Sequence, residues 1–174
     1  MIQKDPVSIF DFPKQGEHLL FADEDTYNLE IKDIVLKRCL FRRVGIKHLK
    51  AQSCDFHGCI FEDCYFREGD FTNIDFTGSI FRDCNLSKAK FKACSFRYVR
   101  FNNCLINTKE IMSNLPREPN LRSQLLLSLK KNSIEMGLNE EADLFLVEQI
   151  KTRKEELNAI FHSEIVTIKK NILF

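Results

Sequence analysis

The sequence predicts a mainly β fold with α-helices at its C-terminal end: a solenoid of short strands, followed by a helical hairpin. Two observations predict the solenoid. Between Ile31 and Ile106 every fifth residue is apolar, and the residue two positions before each of them is small or apolar. The third observation concerns the helices, because leucines recur at helical spacing after Pro119. A chain of 174 residues suits one such domain with an appendage.

The five-residue period carries the predicted core. It matches neither the α-helical period of 3.6 nor the strand period of 2, so the chain must turn a corner every five residues. Of the 16 phenylalanines, ten lie between residues 29 and 107, and all ten occupy the apolar phase. These ten are Phe41, Phe56, Phe61, Phe66, Phe71, Phe76, Phe81, Phe91, Phe96 and Phe101.

All seven cysteines lie in the second inward phase, two residues before an apolar position: Cys39, Cys54, Cys59, Cys64, Cys84, Cys94 and Cys104. No charged residue between 29 and 107 occupies either inward phase. We therefore predict that the ten phenylalanines form the structural core together with Cys64, Cys84 and Cys104, and that the charges face outward.

The five-residue segments have a common pattern of small, polar, Leu or Phe, polar, polar, as in CDFHG, CIFED, CYFRE, GDFTN and IDFTG. This pattern resembles that of the pentapeptide-repeat protein family over residues 29–107. The resemblance implies a right-handed quadrilateral β-helix with four pentapeptides in each coil, and thus about four coils. Residues twenty apart would then stack in columns such as Phe41–Phe61–Phe81–Phe101. Ala51 takes the place of an aromatic residue, so a local irregularity is expected there.

The repeat divides the chain into four predicted parts. Residues 1–28 form an N-terminal cap, with the acidic run 23–25 in a solvated turn; 29–107 form the β-helix, 108–118 a linker, and 119–174 a helical hairpin or cap. Gly137 is expected to end the first helix and Asn139 to begin the second. The apolar stripe predicted for the second helix is Ala142, Leu146, Ile150, Leu157 and Ile160.

The stretch CDFHGCIFEDCYF has the residue types of a metal site, since Cys54, His57, Cys59 and Cys64 are all potential ligands. The register argues against that interpretation, because the cysteines point inward and His57 points outward. Stacked cysteines at the strand spacing of about 4.8 Å leave a disulfide open as an alternative. The favoured interpretation is that cysteine serves as a small buried apolar residue with an unreactive thiol. We predict no metal site and no cofactor.

No catalytic motif is found. The sequence has no Gly-rich phosphate loop, no HExxH and no GxSxG, so we predict that the protein is not an enzyme. An enzymatic role of the C-terminal helices is the weakest of the alternatives. The odd number of cysteines and the absence of a recognisable signal peptide favour a reducing, cytoplasmic location.

Outward basic residues follow the first coil and a half, and the candidate partner-binding residues are Lys37, Arg38, Arg42, Arg43 and Lys47. They could form a face for nucleic acid or anionic lipid. We favour the interpretation that they form a solvated wall of the solenoid, because runs of charged residues usually form solvated surfaces. Nucleic acid is disfavoured as a partner.

The predicted function is a non-enzymatic scaffold for protein–protein interaction, in which the C-terminal helices bind a protein partner or a second copy of the chain. Similar helical units in the family can precede a channel-like tail. Membrane association would thus require the chain to continue past Phe174, because the sequence contains no transmembrane segment. The alternative is a modulator of DNA gyrase that mimics DNA. The net charge of +5 over residues 29–107 has the wrong sign for such mimicry.

Overall fold

The computed structural model describes residues 1–172, and it describes the side chains of residues 1–162. A short 3-10 helix (Ile9–Asp11) precedes eleven strands and three α-helices. The strands are β1 (Gln15–Glu17), β2 (Leu20–Tyr27), β3 (Glu30–Lys32), β4 (Val35–Lys37), β5 (Leu40–Lys47), β6 (Lys50–Gln52), β7 (Ile60–Glu62), β8 (Asp70–Thr72), β9 (Ile80–Arg82), β10 (Lys90–Lys92) and β11 (Arg100–Asn102). The helices are α1 (Thr108–Met112), α2 (Pro119–Glu135) and α3 (Asn139–Ile172).

The strands pair in parallel with partners twenty residues away, as the stacked coils of a solenoid require. One wall has the order β11-β9-β7-β5-β2, with Phe41 opposite Phe61 and Phe61 opposite Phe81. A second wall has the order β10-β8-β6-β3. The other two walls contain β1 paired with β4 and single bridges such as that between Tyr65 and Asn85. The predicted four-sided β-solenoid followed by helices is thereby confirmed.

A residue in the left-handed region recurs every five positions and turns the chain at each corner. Sixteen non-glycine residues from His18 to Asn103 have φ between 51° and 62°, and Gly58 and Gly78 complete the series. Each lies two positions after an inward residue of the Ile31 phase. None of the sixteen is Val, Ile or Thr, because a β-branched side chain in this conformation is strongly disfavoured.

Stacked phenylalanines fill the interior. In the column that begins Phe21–Phe41–Phe61, the ring centroids are 4.7 Å and 4.8 Å apart, and the next two steps are 4.6 Å and 5.3 Å. All ten phenylalanines of the repeat are buried, and so are Cys64, Cys84 and Cys104. The expectation of an irregularity at Ala51 was wrong, because β6 pairs in register with both β3 and β8.

The solenoid begins earlier than residue 29. Strands β1 and β2 lie inside the segment assigned to the N-terminal cap, and Phe21 continues the aromatic column. The acidic run 23–25 lies within β2 rather than in a solvated turn. Glu24 accepts hydrogen bonds from Ser8 and from the backbone N–H of Ile9, and so holds the 3-10 helix against the first coil. The inward position that Glu24 occupies, expected to be apolar, concealed this coil from the sequence pattern.

Helical residues take the place of a further coil at the C-terminal end. Residues 108–118 are more than a linker, because they contain α1, whose Ile111 is fully buried. Asn114 accepts a hydrogen bond from Cys94 N at 2.9 Å and donates one to the carbonyl of Phe91 at 2.8 Å. Its amide therefore satisfies backbone groups that a next strand would otherwise have paired.

Asn132 on α2 repeats this arrangement at Cys104. Its Oδ1 accepts from the Cys104 backbone N–H at 2.7 Å, and its Nδ2 donates to the Cys104 carbonyl at 2.9 Å. Ser128, one turn earlier, accepts from Phe101 N at 2.9 Å. The helix α2 thus closes the open end of the solenoid with side-chain hydrogen bonds, which a repeat fold needs at its termini.

The two long helices form the predicted hairpin, with Gly137 at φ +72° between them. Leu126 of α2 and Phe145 of α3 are buried, and Arg122 forms an ion pair with Glu155 farther along. Residues 173 and 174, the end of the predicted hairpin, lie outside the described residues. Among the residues that are described, no helix combines the length and apolarity needed to cross a membrane.

Candidate interaction surfaces

The buried cysteine phase connects successive coils. The thiols of Cys59, Cys64 and Cys84 each donate to the carbonyl of the residue 23 positions earlier, at 3.1 Å, 3.5 Å and 3.4 Å. Ser79 occupies the same phase and makes the same contact, to the Phe56 carbonyl at 2.7 Å. Small donor side chains in this phase therefore stabilise the stacking, in addition to filling space.

The stretch that contains the candidate ligand cluster has its thiols and its histidine on opposite sides of the wall. Cys54, Cys59 and Cys64 are buried, whereas His57 is exposed. Over the side chains that the structure describes, no group of three or more His, Cys, Asp or Glu residues is arranged to hold a metal ion. The thiols of this stretch lie in the interior, apart from its exposed imidazole.

The environment of these thiols suppresses ionisation in most cases. Burial raises the pKa of Cys94 to about 11. A hydrogen bond with Cys104 lowers the pKa of Cys84, but a hydrogen bond with Cys64 and burial outweigh it and raise the pKa to about 12. A hydrogen bond with Cys59 lowers the pKa of Cys39, and the same contact raises that of Cys59. Because the thiolate is the reactive form, the raised values indicate inert side chains.

We expect Cys64→Ala to leave the fold unchanged and to lower the free energy of unfolding by about 1–2 kcal/mol, because only a small side chain and a weak hydrogen bond are lost. Far-UV circular dichroism and chemical denaturation would measure this. Loss of a bound metal in Cys64→Ala, determined by elemental analysis of the purified protein, would contradict the interpretation of these cysteines as structural.

The five candidate partner-binding residues do not form one patch. Each faces an acid on a neighbouring coil, and they are distributed over three walls of the solenoid. The pairs are Lys37–Asp55, Arg38–Glu17, Arg42–Glu62, Arg43–Asp23 and Lys47–Glu68. A hydrogen bond to Asp23 raises the pKa of Arg43, and the same contact lowers the pKa of Asp23. Their role in binding a partner stays a prediction.

Acids and bases alternate along the outer walls. Glu62 lies between Arg42 and Arg82, and Glu68 is in contact with Lys47, Lys88 and other cations. Exposed pairs of this kind contribute little to stability. A protein that imitates DNA needs uninterrupted rows of negative charge, and this alternation works against such a role.

The second predicted element, the apolar stripe of α3, is divided between two faces. Ala142 packs inside together with Phe145 and Thr152, which are each 1% exposed. The other four members of the predicted stripe are 36–49% exposed: Leu146, Ile150, Leu157 and Ile160. Val147 and Phe161 are exposed beside them. These four members of the predicted stripe therefore do not pack inside the hairpin, and α3 presents a second apolar face to solvent.

Sequence reasoning missed the face that does pack. Ala142, Phe145 and Thr152, with the half-buried Gln149, are spaced by three and four residues, which is typical of a helix seam. Gln149 and Thr152 concealed this seam, since polar residues at buried positions weaken an apolar pattern. The outward face of α3 is lined by exposed Leu, Val, Ile and Phe side chains.

Comparison with known proteins identifies the repeat. Residues 54–117 match the family model for a pentapeptide repeat region. No curated protein matches the chain significantly.

Several solved structures are similar to this chain. QnrB1, a plasmid-mediated fluoroquinolone resistance protein, is 17% identical, with 49% of this chain and 54% of that chain covered and a TM-score of 0.30. Rfr23, a pentapeptide repeat protein from the cyanobacterium Cyanothece 51142, is 13% identical, with 55% and 65% covered and a TM-score of 0.27. A pentapeptide repeat protein from the Arabidopsis thaliana thylakoid lumen is 12% identical, with 64% and 83% covered and a TM-score of 0.25. This chain thus spans about half the length of the first of these proteins.

Proposed function

From the pentapeptide-repeat region that this chain carries, we propose that it is a non-catalytic scaffold that mediates protein–protein interaction through α3. The solenoid and the helix α2 supply a rigid support, and the outward apolar face of α3 supplies the docking surface. We name this surface the α3 stripe and define it as Leu146, Val147, Ile150, Leu157, Ile160 and Phe161.

The observation that carries the proposal is the exposure of the α3 stripe. Its six side chains are 36–61% exposed, although α3 already has a packed face against the rest of the hairpin. Leu, Ile and Phe side chains at helical spacing, left in water, form the type of surface that binds a groove or another helix. Burying each of them in a complex would contribute to binding in proportion to the apolar area removed from water.

Contacts with the rest of the protein hold α3 in a fixed position. Phe145 anchors α3 in the interior, and Thr108 donates a hydrogen bond to Glu141 in its first turn at 2.8 Å. A helix fixed in this way loses little conformational freedom on binding, so a larger part of the interaction energy is available for affinity.

Replacing one stripe residue tests the proposal. We expect Ile150→Glu to abolish capture of the species that the wild-type 174-residue chain retains, whether a different protein or a second copy, since the substitution places a charge at the centre of the apolar surface. The measurement is affinity capture with immobilised protein from a lysate of the source organism, followed by mass spectrometry.

Ala159→Glu is the matched control, because it adds the same charge to an exposed position of α3 on the opposite side of the helix. Circular dichroism of both variants shows whether the helices remain intact. Equal capture by wild type and Ile150→Glu would refute the proposal, and so would a failure of the wild type to retain any species at all.

A further inference from the structure

An acidic residue lies on one side of the centre of the α3 stripe, and a basic residue lies on the other. Asp143 lies four residues before Val147, and Lys154 lies four residues after Ile150. All four residues are exposed and follow one another at spacings of four, three and four, which place them along one line on a helix. The order along this line is acidic, apolar, apolar, basic. At a rise of 1.5 Å for each residue, Asp143 and Lys154 are about 16 Å apart along the helix axis.

Neither charge has an ion-pair partner among the side chains that the structure describes. The other charges of α3 between residues 148 and 156 do have partners: Lys151 pairs with Glu148, Arg153 with Glu156, and Glu155 with Arg122. Asp143 and Lys154 are therefore available to charges outside the chain, and they stand at the two ends of an apolar centre.

We propose that the α3 stripe binds a second copy of this chain, with the two α3 helices antiparallel about a two-fold axis midway between residues 148 and 149. This inference rests on the proposed function, since it names the partner of the same surface. A two-fold interface joins one patch to itself, so the patch must be self-complementary. In this register Asp143 faces Lys154 of the second copy, and Val147 faces its Ile150.

Other alignments of two copies bring like charges together. A parallel pair places Asp143 against Asp143 and Lys154 against Lys154. An antiparallel pair centred five residues later would place Ile150 against Leu157, but it would gather Arg153 and Lys154 of both copies at its centre. Opposed like charges in an interface are costly, and the charge order therefore selects the register with the axis between residues 148 and 149.

The outer parts of the stripe also find apolar neighbours in this register. Leu157 of one copy lies opposite Glu140 in the first turn of the other copy's α3, and residues 159–161 extend past the start of that helix to the hairpin loop. Leu138 in that loop is 40% exposed, and it can receive Leu157 and Phe161 of the second copy. The interface then has an apolar layer at its centre, a charge pair on either side and further apolar contacts at both ends.

Charge exchange tests the register. We expect Asp143→Lys and Lys154→Asp each to raise the dissociation constant of the dimer about tenfold or more, because each puts like charges opposite one another twice in a symmetric interface. The double variant Asp143→Lys/Lys154→Asp should restore the wild-type dissociation constant to within about threefold. Sedimentation equilibrium of the four 174-residue proteins at low ionic strength measures their dissociation constants, and higher salt should weaken the wild-type dimer.

Lys131→Asp is the control, because it reverses an exposed charge on α2 away from the stripe and should not change the dissociation constant. A wild-type chain that stays monomeric at millimolar concentration would overturn the inference. A dimer whose two single variants are weakened but whose double variant is not restored would also overturn it. The proposed function would fail separately, when Ile150→Glu captures everything that the wild type captures.

Discussion

Phe61→Ala should lower the free energy of unfolding by about 3–5 kcal/mol, because it removes the central ring of the longest aromatic column. The Phe61 ring stacks on Phe41 at 4.8 Å and on Phe81 at 4.6 Å between centroids, and it meets Phe56 and Phe76 edge-on. The cavity would lie between coils that can close only by breaking parallel ladder hydrogen bonds. Urea denaturation followed by circular dichroism measures the change.

Two further variants make this result specific. Phe61→Leu should cost much less, since Leu86 occupies the equivalent inward position in another column and is buried there. Phe10→Ala should change stability by less than about 0.5 kcal/mol, because the Phe10 ring is mostly exposed and outside the column. An effect of Phe61→Ala as small as that of Phe10→Ala would show that the aromatic column does not hold the solenoid together.

Asn132→Ala should lower the free energy of unfolding by about 2–4 kcal/mol, because it leaves a buried N–H and a buried C=O of Cys104 without partners. The side chain of Asn132 is itself buried, so water has no access to compensate. The loss should appear in chemical denaturation, and hydrogen exchange should rise first at the backbone amide of Cys104.

The isosteric variant Asn132→Asp separates hydrogen bonding from volume. It keeps an acceptor for Cys104 N but loses the donor to the Cys104 carbonyl, so we expect it to be destabilised as well. Asn158→Ala, at an exposed position of α3, should be neutral. If Asn132→Ala were as stable as Asn158→Ala, the helix α2 would not act as a cap through these bonds.

Most of the solenoid follows from its sequence. A period of five with two inward residues fixes which side chains are buried, since any other register would place charges such as Arg42 or Glu62 in the core. The corners can also be recognised in the sequence. Asp, Asn, Gly and His are frequent two positions after each inward residue of the Ile31 phase, and these residues tolerate the left-handed conformation.

The limits of the repeat are less evident from its sequence. The first coil contains Glu24 and Thr26 at inward positions, so the apolar pattern does not extend to it. Its place becomes clear only when Glu24 is seen to bind Ser8 and Ile9 of the preceding segment. The last coil is completed by Asn114 and Asn132, residues whose role depends on backbone groups that lie 20 to 28 residues earlier in the chain.

The sequence by itself determined the solenoid, its buried phases and the two C-terminal helices, because each has a regular period that can be recognised within the sequence. The tertiary structure decided which face of α3 packs. Both the seam of Ala142, Phe145 and Thr152 and the stripe with Ile150 have helical spacing, and they are separated by roughly a third of a turn. The placement of α2 on the end of the solenoid decides which of the two faces is buried. That placement depends on long-range contacts such as the hydrogen bond between Asn132 and Cys104.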